Sequence, residues 1–321
     1  MEGGNNLSIY QVDRVQYIKS QDKLMIFEFL MVDDIKEFIK NFKNEGNRFS
    51  ENYIDYNYYN KLKALYDTSN INDTCLLIII YDKFLKKIFY VECTGSFKIV
   101  ITDFETFQQK FIEINNKDGE EKKSKILGSI RGENIDTFVL DTLKQINCCI
   151  DENDDNGLEL TKKLLGEYTT KGFDFDLFQH IKSTGETIIY EFLKNETSYV
   201  TNYTAHPMRY CWTGKPKDNR QKFIGLWTVK EKLNGRLFLI NYSDCIEDGI
   251  GISEILDLDV EKGIKEEYKY NLTYEEFINW MTQMKDYKSS DKDYLKQLNH
   301  KRKYFDESFF YDWSMNKSRY R

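Results

Sequence analysis

An acid in the middle of an apolar run constrains this chain more than any other feature. In "KLMIFEFLMVDD", Lys23 to Asp34, alternation sets Glu28 on one face with Leu24, Ile26 and Leu30, while Met25, Phe27, Phe29 and Met31 make the other face apolar too. A strand apolar on both faces is covered on both. A carboxylate there is costly to bury unless a cation, a metal or a proton satisfies it. A shorter echo, "TIIYEFLKNET" from Thr187 to Thr197, repeats the order around Glu191. The succession of elements recurs as well. "IFEFL" is followed by a hairpin built on "LLIIIYDKFLKKIFYVEC" and the helical run "TDFETFQQKFIEI", and "IYEFL" by "FIGLWTVKEKLNGRLFLINYS" and "NLTYEEFINWMTQM".

At 321 residues the chain is long enough for two ordinary domains. The acidic run "DENDDNG", Asp151 to Gly157, suits a linker, so the expected division is an N-terminal α+β domain over 1–150 and a C-terminal α+β domain over 151–321. Each is expected to hold a mixed or antiparallel sheet with packed helices, and the recurring order makes the halves candidates for structural relatives. A net charge of −7 argues against coating nucleic acid by bulk electrostatics, although a local basic patch is compatible with it. The longest apolar runs fall short of a membrane span, and "MEGGNNLSIYQ" lacks signal-peptide character. Six cysteines without paired spacing fit reduced thiols. A cytoplasmic protein is the expectation.

Along the chain, Leu7 to Ile18 and Lys23 to Met31 read as a hairpin. A helix follows with Ile35, Phe38, Ile39 and Phe42 on one face and Asp33 or Asp34 as its cap. "NYYNKLKALYDT" predicts a second helix. Three strands come next, "TCLLIIIYD", "KIFYVEC" and "FKIVITD", and then a helix with Phe104, Phe107 and Phe111 on one face. "ENIDTFVLDTLKQINCCI", "LELTKKLLGEY" and "FDLFQHIKST" read as helical, and "KFIGLWTVKE" with "RLFLINYSD" as a hairpin turning at Asn234 and Gly235. Thr273 and Glu276 form a capping box before "FINWMTQM".

The segment "VDRVQYIKSQDKLMIFEFL" resembles the core hairpin of the PD-(D/E)xK nuclease superfamily, in which an Asp on one strand and an acid-x-Lys on the next bind a divalent metal and activate water. The resemblance implies Asp13 as the metal-binding Asp, Glu28 as the second acid, and Mg²⁺ or Mn²⁺ as cofactor. Leu30 stands where the lysine belongs, so a nuclease would need one from elsewhere, with Lys23 and Lys36 as candidates. In the second half, Ile224, Asn241 and Ser243 occupy the positions of the acids and the lysine. Each resemblance covers the hairpin alone. A degenerate nuclease-like fold therefore fits better than an active enzyme, and a Glu28 paired with a neighbouring cation such as Arg14 is the simpler reading. "KLNG" resembles the lysine motif of nucleotidyltransferases, but too few residues follow Gly235 for that family's other motifs.

The stretch "HPMRYCWTGKPKDNRQK", His206 to Lys222, contains both prolines of the chain. Arg209, Lys215, Lys217, Arg220 and Lys222 face a single acid, Asp218, with Tyr210 and Trp212 between them. Cations suit anionic groups and aromatic faces suit stacking, so a nucleic acid or an acidic protein would be gripped here. The C-terminal runs "HKRK" and "KSRYR" add to the basic character. His180, His206 and His300 are scattered, and no zinc-ligand spacing, phosphate-binding glycine loop or nucleophile elbow is present. The reading is a non-catalytic binding or regulatory module that recognises a protein or nucleic-acid partner, with a metal-dependent nuclease as the alternative. Outside that alternative no cofactor is expected.

Overall fold

The computed structural model describes residues 9–94, 96–122, 137–146, 155–195, 201–203, 205–207, 220–285 and 301–304, and it is an α+β protein. The order of elements is β1 (Ile9–Ile18), β2 (Lys23–Val32), α1 (Ile35–Asn44), α2 (Tyr56–Ile71), β3 (Cys75–Asp82), β4 (Lys87–Cys93), β5 (Phe97–Asp103) and α3 (Phe104–Asn115). Next come α4 (Thr137–Gln145), α5 (Asp155–Leu165), β6 (Phe173–Ile181), β7 (Glu186–Lys194), α6 (Arg220–Lys232) and β8 (Arg236–Tyr242). The last elements are β9 (Ile250–Asp259), β10 (Gly263–Leu272), α7 (Tyr274–Lys285) and β11 (Lys301–Tyr304).

The chain divides into two compact units. One holds β1 to β5 with α1, α2, α3 and α5; the other holds α4, α6, α7 and the strands from Asp176 onward. The boundary expected at 150/151 is therefore not a single cut. The helix before it belongs with the second unit and the helix after it with the first. Phe138 of α4 stacks on Tyr242 and Phe277, whereas Leu160 and Leu164 of α5 join the core of Phe27, Phe29 and Phe111.

In the first unit the strand order is β1-β2-β3-β4-β5, with β2 and β3 parallel and the other neighbours antiparallel. The parallel pair needs a long crossover, which α1 and α2 supply. Asp34 caps α1 by accepting from the N–H groups of Lys36 and Glu37, and Phe38 and Phe42 pack edge-on against Phe89. On the other face Phe107 and Phe111 of α3 are buried.

The second unit repeats this plan. β6 pairs antiparallel with β7, β7 runs parallel to β8 after the crossover through α6, and β8, β9 and β10 continue antiparallel. The register repeats too. Glu28 lies opposite Ile78, Ile78 opposite Val91 and Val91 opposite Ile99. Glu191 lies opposite Leu239, Leu239 opposite Ser253 and Ser253 opposite Lys269. Polar contacts recur at matched positions. The N–H of Phe29 donates to Asp13 Oδ2 at 2.6 Å, and that of Phe192 to Asp176 Oδ2 at 2.6 Å. Gln16 donates to the Ile114 carbonyl at the end of α3, and Gln179 to the Met284 carbonyl at the end of α7.

Three expectations change. "FIGLWTVKE" is helical, because Phe223, Leu226 and Val229 recur at helix spacing and all three are buried. Asn234 does take a positive φ, but it follows the end of α6, where the Gly235 N–H bonds back to the Lys230 carbonyl. Ile224 thus sits on a helix, which removes the second nuclease-like hairpin. "FDLFQHI" is strand, with Phe175 and Leu177 buried in alternation with Asp174 and Asp176. The capping box is formed: the Glu276 N–H donates to Thr273 Oγ1 and the Thr273 N–H to Glu276 Oε2.

Candidate functional site

The acid of β2 is fully buried and ion-paired, and its cation is Lys61 of α2, itself buried, rather than Arg14. Arg14 turns to the other face, where it sits over the rings of Phe27 and Phe111 and donates to Gln16, Asn115 and Thr170. Burial lowers the Arg14 guanidinium to about 9, which leaves it charged at neutral pH. Asp13 lies beside Phe29 and α5: a Cβ at Gly157 of α5 would meet Asp13 Cγ at 3.0 Å and Phe29 Cδ2 at 3.1 Å. Phe29 and Glu28 are successive strand residues, so they point to opposite faces. Asp13 and Glu28 are therefore turned away from each other, and no group of three or more metal-ligating side chains occurs among the described residues. Lys36 is exposed on α1, and Lys23 opens β2.

Burial also silences Cys75 and Cys93. Desolvation pushes Cys75 up to about 11 and Cys93 to about 12, so neither carries appreciable thiolate near neutral pH.

In the second unit the acid of β7 is ion-paired at the matched position. Glu191 Oε1 lies 2.5 Å from Lys222 Nζ, a lysine in the first turn of α6 and half-buried. Three strands further out, on the same face, Glu267 Oε2 lies 2.9 Å from His206 Nε2. Beside it, Lys269 Nζ donates to Ser253 Oγ at 3.2 Å and to the Ala205 carbonyl at 3.5 Å. Desolvation works to raise the carboxyl of Glu267, but the neighbouring His206, Lys269 and Ser253 outweigh it and hold the group down at about 2. Glu267 and Lys269 are charged residues inside a sheet, with 0% and 7% exposure.

His206 and Lys222, the first and last residues of the basic stretch, are thus each tied to a buried acid of one sheet face. Arg220 opens α6. Arg209, Tyr210, Trp212, Lys215 and Lys217 lie outside the described residues.

The matched strand of the first unit has the opposite chemistry. Phe97, Ile99 and Ile101 of β5 occupy the positions of Glu267, Lys269 and Asn271, yet they are 54%, 38% and 45% exposed. Phe97 stacks on Tyr66 of α2 with ring centroids 5.0 Å apart. The alternation in "FKIVITD" marked the strand but carried no sign of its exposure. The buried Glu267 and Lys269 were hidden because "KEEYKYN" reads as a solvated run. Lys61 offered no signal beyond its place on a helix. Comparison of the chain with protein-family models, curated proteins and solved structures gives no match to any of them.

Proposed function

We propose that this is a non-catalytic cytoplasmic recognition module that grips an acidic protein partner with the basic and aromatic stretch between His206 and Lys222. The observation that carries the reading is the double anchorage. His206 is held by Glu267 and Lys222 by Glu191, two buried acids on one sheet face. Tying both ends lowers the entropy lost when the intervening residues close on a partner. Arg209, Tyr210 and Trp212 are residue types that anchor interfaces, and Lys215 and Lys217 add the positive charge that suits an acidic partner. A net charge of −7 makes a nucleic-acid polyanion the less suitable partner.

A nuclease is the weaker reading, because Asp13 and Glu28 face opposite sides of the strand pair and Glu28 is occupied by Lys61. The test uses the full chain as bait. Replacing Arg209, Lys215 and Lys217 together with Ala should release the retained protein without lowering the melting temperature, and unchanged retention overturns the proposal. Incubation with DNA and RNA in Mg²⁺ or Mn²⁺ should give neither cleavage nor a mobility shift. Cleavage would restore the nuclease, and a shift lost in the triple variant would make the partner a nucleic acid.

A further inference from the structure

We infer that the outer edge of β5 is a self-association site, where β5 of a second copy of this chain adds antiparallel to the sheet. β5 ends the strand order of the first unit, and among the described residues no strand pairs with its outer edge. Phe97, Ile99 and Ile101 project from one face as an exposed apolar row. Exposed edges are commonly blunted by charge, proline or cover. Between Phe97 and Thr102 the only charge here is Lys98.

The second unit supplies the template for completing such an edge. Its matched strand, β10, takes β11 as an antiparallel neighbour, with Glu267 opposite Lys303 and Lys269 opposite Lys301. A strand of mixed charge has received a basic one. β5 is apolar and needs an apolar strand, and its own sequence provides one. A two-fold axis through Val100, perpendicular to the sheet, sets Ile99 of one copy opposite Ile101 of the other and Lys98 opposite Thr102. The same axis places Phe97 of each copy across from the other copy's Asp103. The faces are preserved, so Ile99 and Ile101 of the two copies meet on one side as cross-strand pairs. A parallel arrangement would lose this, setting lysine beside lysine. The chain's own basic β11 is no substitute, since it is engaged with β10 and lacks the apolar residues.

The test is sedimentation velocity of the full chain over roughly 1 to 100 µM, the range suited to a small interface. The chain should move from the 38.4 kDa monomer toward twice that mass as concentration rises. Ile99→Lys installs the residue that β10 carries at this position, and it should stay monomeric throughout while melting like the dilute wild type. If that variant fails to fold, Ile101→Lys gives the same readout from another exposed position. A wild-type chain that remains monomeric overturns the inference, even if Ile99→Lys releases some other protein. A dimer that survives both substitutions also overturns it, because its contact would lie elsewhere.

Discussion

Ile99 and Lys269 hold matched positions in the two units, one reached from Glu28 through Ile78 and Val91, the other from Glu191 through Leu239 and Ser253. The isoleucine is exposed and the lysine is buried. Position in the fold therefore does not decide burial in these two units; the covering segment does. After β7 the chain brings Ala205 and His206 onto β10, where they meet Lys269 and Glu267. After β2 it builds α1 and α2, whose side chains engage Phe89 of β4, Glu28 of β2 and, at Phe97, one end of β5. The covered strand became polar and internally paired, while the uncovered one kept an apolar row. A charged strand can be buried because each group found a partner, and an apolar strand can be left open where another chain completes it.

The ion pairs of the two matched acids give the largest effect with which to test this comparison. Lys61 is buried with Glu28, so Lys61→Ala removes the cation that faces a buried carboxylate and should cost about 3 to 5 kcal/mol. Lys222 is more than a third open to solvent, and Lys222→Ala should cost about 1 kcal/mol, since water can reach the vacated place. Urea denaturation midpoints of the two variants measure the difference. Equal losses would break the argument that cover, rather than fold position, sets the energetics.

A pH dependence belonging to the second unit comes next. The folded-state pKa of Glu267 is depressed to about 2. Its contribution is therefore complete above the unfolded value, near pH 4.5, and is lost as pH falls from there toward 2. Glu267→Gln should cost about 3 kcal/mol at pH 6, and the gap to wild type should narrow steadily between about pH 4.5 and 2. Denaturant titrations of both proteins across that interval provide the check. A gap that stays constant would mean that the carboxylate charge is not what holds His206 and Lys269 in place.

Much of the first unit could be read from its residues, because local and global signals agree there. Apolar, β-rich runs gave β1 to β5, helical spacing gave α1 and α3, and the cap at Asp34 followed from residue chemistry. The second unit was harder for identifiable reasons. α6 is written in Phe, Ile, Trp, Thr and Val, which favour strands, and only the spacing of Phe223, Leu226 and Val229 betrays the helix. The partner of Glu267 is His206, 61 positions away, and no local pattern announces so distant a pair. The buried acids in "IFEFL" and "IYEFL" were legible as a constraint, but their cations come from helices later in the chain and had to be seen in place.

The smallest effect sharpens the comparison at its outermost row. Ile99→Lys replaces an exposed edge-strand residue with the one that the second unit buries at the matched position. In a dilute, monomeric sample it should change stability by no more than about 0.5 kcal/mol, since little apolar surface leaves a covered environment. Strand preference contributes only weakly at an edge. The wild type should behave differently as concentration rises. If β5 pairs with a second copy, association binds the folded chain and its melting temperature climbs with concentration, while that of Ile99→Lys stays flat. A thermal scan at two concentrations reads both quantities. A loss of several kcal/mol in the dilute variant would mean that Ile99 is already covered within one chain, and the contrast between β5 and β10 would then disappear.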